Sequence, residues 1–217
     1  MQRTLESEIM DKEENVLAYS SADFSSVNQK FVDDFVKKYS HVKNVLDLGC
    51  GPADIPIRLA QILPKVHITA IDASKKMIES AKQAVTKERL NNKIILMQAY
   101  LPGLPFKSKI FDGVISNSLL HHLPNPNVFW EEIKHLGKSG SAVFIMDLLR
   151  PDLPQKAKEI VEQYSGNESQ ILKEDFYNSL LAAFTLDEIK EQLKKADLSK
   201  LNAEAISDRH WLVSGIL

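Results

Sequence analysis

The amino-acid sequence predicts an α/β fold, with a doubly wound and mostly parallel sheet of seven strands, an antiparallel edge and helices on both faces. The main observation is that short apolar segments alternate with segments of helical periodicity between residues 44 and 147, as in parallel sheets. The first apolar segment also runs into a glycine turn, and two apolar segments follow each other towards residue 217. Such a final pair is typical of an antiparallel edge.

Each element has its own signal. Apolar residues at helical spacing predict a first helix over 24–39. Apolar runs bounded by turn residues predict five strands, over 44–49, 66–72, 93–99, 111–117 and 141–147. Apolar faces predict intervening helices over 55–63, 74–85 and 129–136, with Ser74 as the cap of the second. A loop rich in Pro and Gly joins the third strand to the fourth.

The alternation stops after residue 150. Residues 151–184 show helical periodicity and an aromatic segment, which predicts a helical insertion. Thr185 and Glu188 form a capping box that opens a further helix. Residues 201–207 and 210–217 then predict two strands joined by a tight turn.

Composition and charge exclude several classes of protein. The net charge is −2 and the lysines and arginines are scattered, so we expect no nucleic-acid partner. No apolar run approaches the roughly 18 residues of a membrane span, and the polar, acidic start of the chain does not resemble a signal peptide. Cys50 is the single cysteine, which excludes an internal disulfide and a cysteine-based zinc site. We therefore expect a cytoplasmic protein without a membrane partner.

The glycine turn at 49–51 indicates a ligand site, because glycine lets a ligand approach the backbone closely. Asp47 precedes it, and Asp72 ends the second strand about 20 residues later, where an acid can bind ribose hydroxyls. A dinucleotide fingerprint has its third glycine where this chain has Asp54, whose charge would repel a phosphate. These residues favour a positively charged nucleoside without phosphates. Two alternatives stay open: Asp47 could cap backbone amides, and Asp72 could cap a helix.

These residues resemble the class I S-adenosylmethionine-dependent methyltransferases, in the small-molecule subgroup akin to the ubiquinone and menaquinone biosynthesis methyltransferases. The resemblance covers residues 44–147 and, more loosely, the final strands. It is carried by the motifs VLDLGCGPA, AIDAS, the LPF of the 101–106 loop, FDGVISNSLLHHLPNP and GKSGSAVFIMD. It implies a Rossmann-like fold, S-adenosylmethionine as cofactor and methyl transfer as activity.

The resemblance also implies individual roles. Gly49 and Gly51 lie against the methionine part, Asp72 holds the ribose, and the end of the third strand borders the adenine. The family often has Gly-Asp-Ala at that end, whereas this chain has Ala99-Tyr100-Leu101, so we expect backbone and apolar groups to hold the adenine. The cofactor-binding candidates are Asp47, Gly49, Cys50, Gly51, Asp72, Ala73, Met77, Ala99, Tyr100 and Asn117.

We expect one methyltransferase domain over residues 1–217. Within it, 1–40 form an N-terminal helical cap and 41–150 the cofactor-binding core. Residues 151–184 form a helical insertion or lid, and 185–217 the last helix and the strand pair. The oligomeric state stays open.

The loop after the fourth strand is the place to seek a catalytic group, because it faces the cofactor in the family that the chain resembles. Its candidate bases are His122 and His121, since histidine titrates near neutral pH. Alternatively, one histidine packs structurally and the other caps a turn. A metal site is not predicted, because adjacent side chains rarely point together and no third ligand is evident.

An aromatic acceptor pocket is predicted beneath the N-terminal segment (Tyr19, Phe24) and the insertion (Phe176, Tyr177, Asn178), although these residues could equally pack in the core. The first hypothesis is methyl transfer to a small-molecule acceptor. The second is a methyltransferase acting on protein or RNA, against which the scattered charge argues. The third is a nucleoside-binding protein that keeps the fold without the chemistry.

Overall fold

The secondary structure follows the predicted order in the computed structural model, which describes residues 1–6 and 24–217. The strands are β1 (Asn44–Leu48), β2 (His67–Asp72), β3 (Ile94–Gln98), β4 (Phe111–Asn117), β5 (Gly137–Leu148), β6 (Asn202–Ala205) and β7 (His210–Ile216). The helices are α1 (Ser25–Tyr39), α2 (Asp54–Ile62), α3 (Lys75–Lys87), α4 (Asn127–Leu136), α5 (Pro154–Ser165), α6 (Gln170–Ala182) and α7 (Leu186–Lys195). A short 3₁₀ turn, Leu120–His122, lies between β4 and α4.

All seven strands form one sheet in the order β3-β2-β1-β4-β5-β7-β6. The first five pair in parallel, and β7 runs antiparallel to both β5 and the edge strand β6. The predicted fold class is confirmed, including the antiparallel pairing at this edge. The chain moves outward from β1 to β3 and returns beside β1 as β4, so the strand order reverses between them. Open α/β sheets bind ligands at the carboxyl ends of the strands at such a point.

Helices cover both faces of the sheet. One face packs against α1, α2 and α3, with Phe31 and Phe35 among the buried side chains. The other face packs against α4 and α7, and there Trp130 donates a hydrogen bond from Nε1 to Gln192 Oε1 at 2.9 Å. A smaller cluster joins α5 and α6 to the end of β5. The parallel strands are thus covered on both sides, as their continuous apolar sequences require.

Local signals at helix ends are confirmed. Ser74 Oγ accepts the Met77 N–H, and Thr185 with Glu188 forms the capping box of α7. In contrast, β5 begins at Gly137 instead of residue 141, because Gly137 pairs with Phe111 before a register shift in the β4–β5 ladder. No helix in the described part of the chain combines the length and apolar character that crossing a bilayer requires.

Candidate functional site

The turn after β1 needs glycine at position 49 for two reasons. Gly49 has φ +76°, and a Cβ there would lie 2.9 Å from Leu119 Cβ. The N–H groups of Gly49 and Cys50 both donate to Ile71 O, at 2.9 and 2.8 Å, which holds the turn against the end of β2. The turn is therefore fixed to β2 on one side and covered by the loop after β4 on the other.

Gly51 and Asp72 form the second half of the turn. The Gly51 N–H donates to Asp72 Oδ2 and the Ser74 N–H to Oδ1, both at 2.8 Å. A Cβ at Gly51, which has φ +52°, would meet no atom of the described chain within 4 Å, so there is space for a ligand in front of the turn. Asp72 thus holds backbone N–H groups on both sides of this space, but the cap of α3 is Ser74, whose Oγ accepts the Met77 N–H. A carboxylate accepts about four hydrogen bonds, so these two contacts leave capacity for ribose hydroxyls.

The space in front of the glycine turn, between Asp47 and Asp72, is called the crevice. Asp47 provides its buried carboxyl group. Its exposed fraction is 2%, and burial together with the charge of Asp72 raises the pKa of Asp47 to about 8. A cation bound beside it would stabilise the ionised form and reverse that shift. Burial, followed by the same two carboxylates, also raises the pKa of the Cys50 thiol, so Cys50 is a protonated small residue of the turn instead of a nucleophile.

Asp54 lies in the first turn of α2, where a dinucleotide would place its diphosphate. Its Oδ2 accepts from Arg58 Nε at 2.7 Å and from Asn28 Nδ2 at 2.9 Å. A helix N-terminus attracts a negatively charged group, and here the carboxylate of Asp54 already occupies that position. The position disfavours a phosphate ligand, as the sequence predicted.

The loop after β4 connects the glycine turn to the end of β5. Asn117 Nδ2 donates to Asn28 Oδ1 at 3.4 Å, and Ser118, at φ +58°, donates its N–H to Met146 O at 3.0 Å. Leu119 then covers Gly49. The candidate histidines follow directly in the 3₁₀ turn.

His121 forms a buried pair with Asp147, a residue that sequence reasoning did not select. Nδ1 of His121 lies 2.5 Å from Asp147 Oδ1, with side chains only 3% and 1% exposed. Burial alone would lower the pKa of His121, but the charge and hydrogen bond of Asp147 outweigh it and raise that pKa. Burial would raise the pKa of Asp147, and the charge of His121 lowers it instead. The Asp147 bond holds Nδ1 as a donor, so Nε2 is the ring nitrogen at which His121 gains or loses its second proton.

His122 has a different environment, although its ring centroid lies 4.0 Å from that of His121. Burial, and then the charge of His121, lower the pKa of His122 to about 3, so its imidazole is neutral. Its Nδ1 lies 3.3 Å from Glu6 Oε2 but, within the described residues, makes no hydrogen bond of ordinary geometry. Glu6 Oε2 also accepts from Ser179 Oγ at 3.0 Å. The fold thus places the carboxylate of Glu6 beside the two histidines, as a third potential metal ligand that the sequence did not reveal.

Residues 1–6 lie across the end of α6 and the loop after β4 that carries His121 and His122, which we call the histidine loop. Arg3 donates from Nε to Ala182 O at 2.6 Å and from Nη2 to His121 O at 2.8 Å. Its guanidinium also lies 3.9 Å from the ring centroid of Phe184. Sequence reasoning missed Arg3 and Glu6, because neither belongs to a motif and their partners are distant in the chain.

The remaining cofactor candidates surround the carboxyl ends of β2 and β3. The Ala99 N–H donates to Asp72 O at 3.0 Å, and Ala73 O accepts from Gln98 Nε2 at 3.0 Å. Met77 is buried in the first turn of α3, whereas Tyr100 is 54% exposed beside the crevice. The structure therefore brings these candidates to one end of the sheet.

The predicted acceptor pocket has a different environment from the expected one. Tyr19 lies outside the described residues, and Asn178 is exposed. Phe176 and Tyr177 pack against the α5–α6 cluster, which agrees with the core-packing alternative. A cavity of about 300 Å³ lies instead between α1 and the β6–β7 turn, with Phe31, Met146 and His210 among its lining residues.

Comparison with known proteins places this geometry in context. A demethylmenaquinone methyltransferase of Listeria monocytogenes is 32% identical over 112 residues, which are 51% of this chain and 47% of the relative. The chain spans about half the length of the curated relatives it matches.

Solved structures share the fold at low sequence identity. The plantazolicin methyltransferase BpumL, in complex with a triazolic desmethylPZN analog and SAH, superposes with a TM-score of 0.69 at 17% identity, covering 94% of this chain and 92% of that one. The [4+2]-cyclase SpnF superposes with a TM-score of 0.64 at 13% identity, covering 90% of this chain and 84% of that one.

The family assignment follows from a match to a family model described as a methyltransferase domain, over residues 40–203. This match covers most of the chain and includes the glycine turn, the two carboxylates and the histidine loop. The expected family is confirmed. The chain therefore belongs to the methyltransferase-domain family, with the fold of the class I S-adenosylmethionine-dependent methyltransferases.

Proposed function

We propose that this chain transfers the methyl group of S-adenosylmethionine to a small organic acceptor. The observation that carries the proposal is the crevice between Asp47 and Asp72, which ends at the loop holding His121. A buried carboxyl group with a raised pKa and a half-buried carboxylate favour a cationic nucleoside. Asp54 at the neighbouring helix N-terminus disfavours NAD or FAD.

The candidate residues suggest one orientation for the cofactor. Its cationic methionine part lies at Gly49, Gly51 and Asp47, and its ribose hydroxyls lie at Asp72. The adenine lies between the first turn of α3 and the end of β3, where Met77 and Ala99 are found. This orientation directs the methyl group towards the loop after β4.

Methyl transfer is an in-line displacement: the acceptor's nucleophilic atom bonds the methyl carbon, and the carbon–sulfur bond breaks to leave S-adenosylhomocysteine. Orientation can supply roughly 7–11 kcal/mol, and a base is needed when the nucleophile carries a proton. Of the two candidate bases, His121 is the better in its deprotonated form, because Asp147 orients its ring and raises its pKa, and Nε2 can then accept the proton. His122, with a pKa of about 3, is a weak base.

A small acceptor is supported by two observations. The family relative described above acts on demethylmenaquinone by name. The scattered charge and net charge of −2 argue against a nucleic-acid acceptor. The cytoplasmic location and the division into cap, core and insertion stay predictions.

A second candidate function is a reaction other than methyl transfer on the same fold, and the cyclase among the structural neighbours favours testing it. Purified chain and S-adenosylmethionine labelled in the methyl group would be incubated with separate pools of metabolites, protein and RNA. We expect label in the metabolite pool and slower labelling with Asp72→Ala at a cofactor concentration below saturation. Label in protein or RNA would contradict the small acceptor, and tight cofactor binding without label in any pool would contradict the activity.

A further inference from the structure

We propose that Glu6, His121 and His122 form a site for a divalent first-row transition metal such as Zn²⁺. Each residue offers one donor atom, and the three donors lie within 4.8 Å of one another. One carboxylate oxygen with two imidazole nitrogens is a donor set that such cations prefer. The site goes beyond the proposed function, since binding of S-adenosylmethionine does not require it.

The first supporting observation is the environment of His121. A metal-binding histidine almost always donates its second ring N–H to a carboxylate, which fixes the ring and its tautomer. Nδ1 of His121 makes this contact with Asp147 at 2.5 Å, so Nε2 is the nitrogen available to a metal. Asp147 is fixed in turn, because its Oδ1 accepts the Leu148 N–H at 2.6 Å. The ring of His121 is thus held in place before a cation binds.

The second observation concerns His122. Its Nδ1 is buried without a hydrogen-bond partner among the described residues, an unfavourable state for a polar atom. The same nitrogen lies 3.3 Å from Glu6 Oε2. Zn²⁺ bonds to nitrogen and oxygen at about 2.0–2.2 Å, so two ligands on a tetrahedral ion lie roughly 3.3–3.6 Å apart. One cation between these two atoms would satisfy both.

One contact holds the carboxylate of Glu6, and another anchors the segment that carries it. Its Oε2 accepts from the buried Ser179 hydroxyl at 3.0 Å, and Arg3 anchors the segment on the histidine loop. Three protein ligands leave the fourth position of a tetrahedral ion open. When a cation is bound, Nε2 of His121 is a ligand, so the base role belongs to the metal-free form.

The test is a titration of the tag-free full chain, freed of metal with a chelator, with Co²⁺ followed by visible absorption. We expect ligand-field bands that saturate at one cobalt per chain and disappear when Zn²⁺ is added. Glu6→Gln and His122→Ala should weaken cobalt binding at least tenfold, and Asp147→Asn about 10- to 100-fold. His67→Ala, which alters an exposed histidine at the first residue of β2, is the matched control and should bind as wild type.

Absence of the bands would overturn the site, and so would bands that are unchanged in Glu6→Gln and His122→Ala, because the cation would then bind elsewhere. Glu6→Gln keeps the size of a side chain near the start of the chain, so it decides the matter even if a histidine variant does not fold. Titration of the same samples with S-adenosylhomocysteine separates the two proposals. Cofactor binding without cobalt binding refutes the metal site alone.

Discussion

Replacement of Asp72 by alanine tests the cofactor end of the site directly. In the structure its carboxylate accepts two backbone N–H groups, from Gly51 and Ser74, each at 2.8 Å. In the proposed complex it also accepts ribose hydroxyls. Asp72→Ala therefore removes a binding contact and loosens the turn that surrounds the ligand, so both the affinity and the stability of the protein should fall.

The magnitude follows from these contacts. A hydrogen bond to a charged group contributes about 1.5–3 kcal/mol, and two ribose hydroxyls would set an upper limit near twice that. Because Asp72 is half-buried, water replaces part of the loss. We expect binding to weaken by about 1–3 kcal/mol, which is roughly 5- to 150-fold in the dissociation constant. Calorimetric titration with S-adenosylhomocysteine measures it.

Asp112 provides a matched control, because its Oδ1 accepts the N–H groups of Lys43 and Asn44 at 2.9 and 2.8 Å. It lies at the start of β4, so it is at the amino ends of the parallel strands, away from the proposed ligand. Asp112→Ala should lower the urea midpoint as Asp72→Ala does and leave affinity within about twofold. If the two variants bound the ligand equally well, the ribose role of Asp72 would be wrong.

Three further changes test other parts of the site. Since the Asp47 pKa of about 8 must fall when a cation binds, affinity for S-adenosylmethionine should rise with pH up to about 8 and then level off. Calorimetry in buffers of different ionisation enthalpy should detect release of the Asp47 proton when the ligand binds. This proton release should be absent in Asp47→Asn. The new side chain of Gly49→Ala would meet Leu119, so this substitution should lower the free energy of unfolding by more than about 2 kcal/mol. Gly140→Ala adds a Cβ that meets no described atom within 4 Å, so it should lower the free energy of unfolding by only about 1–2 kcal/mol. Chemical denaturation that ranks the two variants equally would contradict the role of Leu119. Arg3→Ala should speed hydrogen exchange in the histidine loop without changing cofactor affinity, and unchanged exchange would refute its anchoring role.

Local chemistry explains which features could be predicted from the sequence. The caps at Ser74 and Thr185 and the glycine turn depend on residues within a few positions of one another, and the structure confirms the helix caps. The two carboxylates were predictable too, because strands of a parallel sheet end at a common edge. The start of β5 was not, since Gly137 joins the strand through a partner on β4.

Contacts between distant segments explain what the sequence could not show. Asp147 lies 26 positions from His121, and Arg3 lies 118 positions from the same residue. The aromatic residues of the insertion had the right composition for a pocket, but composition does not fix the direction of a side chain. Phe176 and Tyr177 face the cluster of α5 and α6.

The two ends of the site differ in how their buried charges are balanced. His121 and Asp147 stabilise each other, so a ligand gains little there from neutralising a charge. Asp47 instead has a pKa raised by burial and by a second carboxylate, which means that its ionised form is unfavourable until a cation arrives. Electrostatic binding energy is therefore available on the cofactor side of the crevice. In the proposed reaction, selection of the acceptor must therefore depend mainly on shape and orientation beside the histidine loop, where methyl transfer would require accuracy.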